Sequence, residues 1–334
     1  MVNKFYWHDL SKYRNELFGV SILSILAFHL SEDITTRSDM ASNISLKIAR
    51  LYDLLIGSIG VDAFIVLSAI GLYFSLSHDS DLRKYYFKRF RRILPEYFIV
   101  AFLLFFIRDM LITKIGVGGI LRDIFAISFV RNGDRSLWYV YFIAFSYLIY
   151  PALFKVRNYK NGGVQILLLM LTSIFLILTF QHLLPNLYEN IEIAIARIPI
   201  LLGGIYISPY VYEKKPLNKK ECFTLVFIIL LKAIKILNGR IGLHFPVIFN
   251  NRIIDTYFAI PLLFVAVELL KKVHRSTIVN YCGKYSYEIY LIHVSARQII
   301  NLTFNNGYFF INFILYAALS FIIAPVLSKM STIF

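Results

Sequence analysis

About ten stretches of this chain are apolar for long enough to cross a lipid bilayer as helices, and no other feature constrains its fold as much. They fall at 16–31, 54–77, 95–112, 137–154, 164–181, 191–208, 222–237, 253–270, 285–303 and 308–328. A hydrocarbon core ~30 Å thick takes about 20 helical residues, or somewhat fewer where flanking residues adapt. Lys232 and Lys235 interrupt the seventh run. The stretch 115–130, with Arg122 and Asp123 in its middle, is expected to form a short interfacial or re-entrant helix instead. Composition agrees: 58% of the 334 residues are hydrophobic and 16% charged, against roughly 45–50% and ~25% in a soluble domain. The same figures exclude disorder and a disulfide-stapled scaffold. A β-barrel would need ~10-residue strands of alternating polarity, which the sequence lacks. The expected fold is therefore all-α, a polytopic transmembrane helical bundle of about ten spans in a single domain over 1–334, with no soluble domain.

Lys4, Lys12 and Arg14 precede the first run as in a signal peptide, but no A-x-A cleavage site follows, so it reads as an uncleaved first helix. Lys and Arg favour the segments on the N-terminal side of the bilayer, most of all 83–92, which predicts both termini in the cytoplasm. The net charge of +15 is assigned to this topology, to anionic lipid headgroups or to a phosphate-rich ligand rather than to nucleic acid. Cys222 and Cys282 are too few and too isolated for a disulfide framework or a zinc site, and no metal centre is expected.

An ionisable side chain in mid-membrane costs ~2.5–3.5 kcal/mol on insertion scales, so each one asks for a reason. His29 lies ~20 Å along the first helix from its inner entry at 1.5 Å per residue. Asp62 lies ~12 Å down the second helix from the opposite mouth, at comparable depth. Antiparallel neighbours with a short connection would bring the two together as a carboxylate-oriented imidazole, which raises the basicity of the free ring nitrogen. The residues leave a second reading open, with His29 interfacial and Asp62 capping the second helix after Gly60. Arg197, deep in the sixth span, needs an anion, a carboxylate or a polar ligand beside it. Glu288 and His293 share the ninth span.

A second signal is the run Arg83-Lys84-Tyr85-Tyr86-Phe87-Lys88-Arg89-Phe90-Arg91-Arg92-Ile93-Leu94-Pro95. Arg89 and Arg92 are three apart and share one helix face. Such a guanidinium pair holds phosphate oxygens bidentately, with Lys84 and Lys88 adding point charge. A topogenic cluster on anionic lipid is the alternative.

Six segments in order from residue 14 to 293 are similar to the acyltransferase 3 family of bacterial integral-membrane O-acyltransferases. They are Arg14-Asn15-Glu16-Leu17 leading to Ala27-Phe28-His29; Gly60-Val61-Asp62-Ala63-Phe64 through Leu67-Ser68-Ala69; Lys88-Arg89-Phe90-Arg91-Arg92-Ile93-Leu94-Pro95; Leu137-Trp138-Tyr139 with Tyr147 and Pro151; Arg197-Ile198-Pro199 with Gly203; and Ser286-Tyr287-Glu288-Ile289-Tyr290-Leu291-Ile292-His293. Two positions depart from the pattern. Phe18 stands where the family has an Arg eleven residues before the His, leaving Arg14 as the nearest upstream cation, and Ala69 replaces a Gly.

The resemblance implies transfer of an acyl group, most often acetyl, from acyl-coenzyme A to a hydroxyl of a cell-envelope or exopolysaccharide carbohydrate at the plasma (cell inner) membrane. Acyl-coenzyme A is then a co-substrate, with no permanently bound cofactor; the carbohydrate acceptor and membrane lipid are the other partners. His29 is expected as general base with Asp62 orienting it, and Arg89, Arg92, Lys88 and Arg14 as the donor-binding set. Arg197, Trp138, His293 and Glu288 are assigned to the acceptor side. A non-enzymatic transporter or flippase of an envelope saccharide is the alternative; the sequence has neither the repeated halves nor the paired broken helices of many transporters.

Overall fold

The computed structural model describes residues 5–241, 252–273, 276–304 and 308–331. Among these the chain is helical and has no strand. The elements are α1 (Asp9–Lys12), α2 (Arg14–Thr36), α3 (Asn43–Leu55), α4 (Ile59–His78), α5 (Leu82–Phe105), α6 (Val117–Ile124), α7 (Ile127–Asn132), α8 (Trp138–Asn158), α9 (Gly162–Leu183), α10 (Pro185–Ile195), α11 (Ile198–Tyr212), α12 (Lys219–Ile241), α13 (Ile253–Tyr257), α14 (Ala259–Lys272), α15 (Thr277–Lys284), α16 (Ser286–Thr303) and α17 (Phe309–Ser331). A π-helical turn, Phe106–Ile112, extends α5.

Seven segments are long and apolar enough to cross a membrane: Arg14–Thr36, Asn43–His78, Trp138–Asn158, Gly162–Leu183, Pro185–Tyr212, Ile253–Lys272 and Phe309–Met330. The other three expected spans are helices as well, but each carries several charges. α5 opens on the cation run, α12 carries Lys232 and Lys235, and α16 holds Glu288 and Arg297. The stretch 115–130 folds into α6 and α7, two short helices joined at Ala126 in the left-handed region (φ 61°).

The largest buried cluster runs from Trp7 to Leu327 and is centred on α4, which buries Ile65, Val66, Leu67 and Ala69 completely. Helices approach closely where side chains are smallest. On α2, a Cβ at Gly19 would stand 2.0 Å from the Val279 carbonyl oxygen; on α15, one at Gly283 would stand 1.9 Å from that of Asn15. Backbone-to-backbone contact thus fixes α15 against the start of α2. We call the end of the bundle where α2 begins the inner end, and the end where it finishes the outer end.

Candidate functional site

Two cavities enter the bundle from opposite ends. The inner one, ≈ 850 Å³, is lined by Lys12, Arg14, Lys88, Arg89, Arg92 and Lys284 among others, with no Asp or Glu on its wall. Asp81 starts the helix that carries three of these cations, its carboxylate accepting from the Arg83 and Lys84 amides at 2.9 and 3.2 Å. Arg83 and Lys84, in the first turn, oppose the helix dipole rather than stabilise α5.

Four of the six cations lie over aromatic rings: Lys12 over Tyr13 at 5.4 Å, Arg14 over Phe18 at 4.9 Å, Arg89 over Tyr85 at 5.9 Å and Lys284 over Tyr285 at 4.9 Å. A ring face holds a cation in place without neutralising it. Arg92 differs, with its guanidinium 3.1 Å from Glu288 and 3.6 Å from Glu96, two fully buried carboxylates. Arg14 reaches the cavity by lying flat against α4. A Cβ at Gly71 would come within 2.5 Å of its guanidinium, so the glycine is what admits it. Phe18, at the position where the family has an Arg, sits one turn further along and is covered by this same side chain.

The outer cavity, ≈ 450 Å³, is lined by His29, Glu32, Ser58, Trp138, Arg197 and Arg297, among others. The Nδ1 of His29 is 3.2 Å from a Glu32 carboxylate oxygen and 2.9 Å from an Arg297 guanidinium nitrogen. Arg297 also donates to Asp33 at 2.7–3.2 Å and meets Glu32 at 2.8 Å. The tautomer of His29 therefore depends on which neighbour engages Nδ1. With Nδ1–H on Glu32, the Nε2 lone pair is left for a ligand.

The His29–Asp62 pair expected from matched depth does not form. Asp62 lies 2.7 Å from the Arg197 Nε, with both side chains about 1% exposed. Arg197 further donates to the Ile193 carbonyl (2.6 Å) and the Ser58 hydroxyl (3.1 Å), and its guanidinium sits 4.8 Å from the Trp138 ring centroid. Residue counts give depth along a helix, whereas rotation about the helix axis decides which neighbour a side chain meets. Glu288, grouped by the sequence with Arg197 and Trp138, lies instead beneath Arg92 at the inner cavity. His293 lines neither cavity. It is fully buried behind His29, ring centroids 5.3 Å apart, with its Nδ1 donating to the Ile289 carbonyl at 2.9 Å.

Glu32, Asp33 and Arg297 were not singled out by the sequence. Their signal was spacing: the two acids follow His29 by three and four residues, and Arg297 follows His293 by four, so each pair shares a helix face. The wall beside them is fixed by Arg108. Its guanidinium binds Asp109 (2.7 Å), Asp123 and Asp134 (2.7 Å) at once, tying the end of α5 to α6 and to the loop before α8.

The family model for an acyltransferase domain matches residues 19–329, nearly the whole chain. The chain belongs to the acyltransferase 3 family. With the seven membrane-length helices, that makes it a multi-pass membrane acyltransferase. No curated protein sequence matches this acyltransferase, and no solved structure matches it. The acyltransferase carries its family motifs on the walls of both cavities, with the R-x-x-R segment at the inner one and the first-helix histidine at the outer one. Ala69, the small-residue departure on α4, faces Gly204 on α11. A Cβ there would stand 2.7 Å from that of Ala69, so the glycine across the interface makes room for the extra methyl.

Proposed function

We propose that the protein moves an acyl group, in the first instance acetyl, from acyl-coenzyme A to a hydroxyl of a cell-envelope or exopolysaccharide carbohydrate at the inner membrane. The observation that carries this reading is the division of labour between the cavities: one lined by cations and free of carboxylates, the other holding an imidazole. The phosphates of the donor suit the inner cavity, where Arg14, Lys88, Arg89 and Arg92 supply charge at a water-accessible mouth. The thioester then points inward along the bundle. In the outer cavity, His29 Nε2 takes the proton of the acceptor hydroxyl. The hydroxyl oxygen attacks the thioester carbon, the C–S bond breaks, and the coenzyme leaves as a thiol by taking the proton from the His29 imidazolium, which restores the base. Glu32, on Nδ1, stabilises the imidazolium as it forms, which replaces Asp62 in the role first expected for it. Trp138 offers a ring face for the sugar.

The test is acyl transfer by the purified full-length protein in lipid nanodiscs, using labelled acetyl-coenzyme A and envelope glycan. The expected result is label on the glycan, and a loss of about 10²–10⁴-fold in His29→Ala, the usual contribution of a positioned base, with donor binding retained. Glycan that crosses a bilayer unmodified, with no thiol released, would make the protein a transporter instead. Full activity in His29→Ala would remove the histidine from the chemistry.

A further inference from the structure

The two cavities are separated by very little. On α8, Trp138 lines the outer cavity and the next residue, Tyr139, the inner one; on α4, Val61 lines the outer and Phe64, one turn on, the inner. On α16 a single residue, Tyr290, lines both. The wall between donor and imidazole is thus one layer of rings thick at this point.

Tyr290 is the centre of that layer. Its ring packs edge-on against Tyr139 (centroids 5.2 Å apart) on one side and against His293 (5.6 Å) on the other. From Tyr139 the contacts continue to Phe64 (6.1 Å) and Phe18 (5.1 Å) at the inner cavity, and from His293 to His29 (5.3 Å) at the outer one. The residue is only 4% exposed, yet its hydroxyl makes no hydrogen bond of ordinary geometry. Packing holds the ring, between Tyr139 on the wall of the inner cavity and His293 buried behind His29.

We infer that Tyr290 is the residue that sets which acyl groups pass from the donor cavity to His29. This rests on the acyl-coenzyme A reading above and deepens it by naming the acyl class: acetyl-sized groups pass, longer chains do not. The thioester carbon must cross the ring layer before the hydroxyl on the far side can attack it. The gap that Tyr290 leaves as its ring turns between Tyr139 and His293 limits the group that follows. Shape against an aromatic wall discriminates strongly: one methylene too many in a fitted pocket changes rates by about 10–200-fold.

The experiment compares acetyl-, butyryl- and hexanoyl-coenzyme A with the full-length protein in nanodiscs, reading thiol release and donor binding separately. Tyr290→Ala should raise the butyryl-to-acetyl rate ratio by about tenfold or more. Tyr290→Phe, which keeps the ring, should leave the ratio as it was. Tyr290→Trp should lower kcat for acetyl with donor binding unchanged, so a misfolded alanine variant does not leave the idea without a test. A wild type that works on acetyl-coenzyme A, with the same chain-length ratio in all three variants, overturns this inference alone. A wild type that releases thiol from none of the thioesters overturns the donor reading along with it.

Discussion

The two ends of the bundle hold their cations in opposite ways. At the inner cavity Lys12, Arg14, Arg89 and Lys284 lie over aromatic rings, and among the described residues no carboxylate is within ion-pair distance of any of them. At the outer cavity Arg197 is paired with Asp62, Arg297 with Asp33 and Glu32, and Arg252 with Glu192. A cation on a ring face keeps its field, whereas one paired with a carboxylate has lost most of it. The inner end therefore keeps a positive field, the property that the proposed donor's phosphates call for. At the outer end most of the cations are paired, and Arg135, among the described residues, meets only the Glu189 carbonyl. Arg92, gripped by Glu96 and Glu288, is the inner cation that follows the outer pattern.

The contrast can be broken most violently at the outer end. Arg197→Leu leaves Asp62 as a buried charge with no partner and should destabilise the fold by about 3–5 kcal/mol, whereas the double variant with Asp62→Leu should recover most of that. Thermal melting in detergent reads the difference; equal losses in single and double variants would mean that the pair is not a unit. Smaller effects are expected inside. Arg14→Gln or Arg89→Gln should weaken donor binding by about tenfold each and flatten its dependence on salt, since exposed charge acts through a screened field. The double variant should do so more steeply, with melting temperature little changed. Donor affinity that ignores both substitutions would mean that these cations serve lipid or topology instead.

The smallest effect sharpens the comparison through pH. Burial, with Asp109 alongside, pushes the Asp123 carboxyl up to about 6 in spite of Arg108. A carboxyl raised in the fold binds its proton more tightly there than in the unfolded chain, so protonation stabilises the folded state. Stability should rise as pH falls through about 6 and level off below the unfolded value near ~4. Asp123→Asn should flatten that rise between pH 7.5 and 5 in melting curves. An unchanged slope would place the titration elsewhere.

Much of this was legible from one sequence, because apolar length and cation spacing are one-dimensional properties. Seven of the ten apolar runs fall in helices of membrane length, and Arg89 and Arg92, three apart on one helix face, line one cavity together with Lys88 and Arg14. What escaped was pairing. Depth placed His29 and Asp62 level with each other, but each helix's rotation turns Asp62 toward Arg197 on the α10–α11 junction and leaves His29 to acids on its own helix. Glu288's pairing was hidden for the same reason, since its partner Arg92 comes from a helix nearly two hundred residues away in the chain. Arg297 is more instructive. No motif marks it in the sequence, yet it contacts His29, Glu32 and Asp33 together.

The clasp that Arg108 forms with three aspartates has a consequence for where and how this rim stays intact. Both cysteines of the chain are free, one of them buried, so the outer wall is held by no covalent staple. Its rigidity is indifferent to the redox state of the compartment it faces: a reductant has nothing there to cut. A replaced guanidinium is what would let the α6–α7 segment drift away from the histidine.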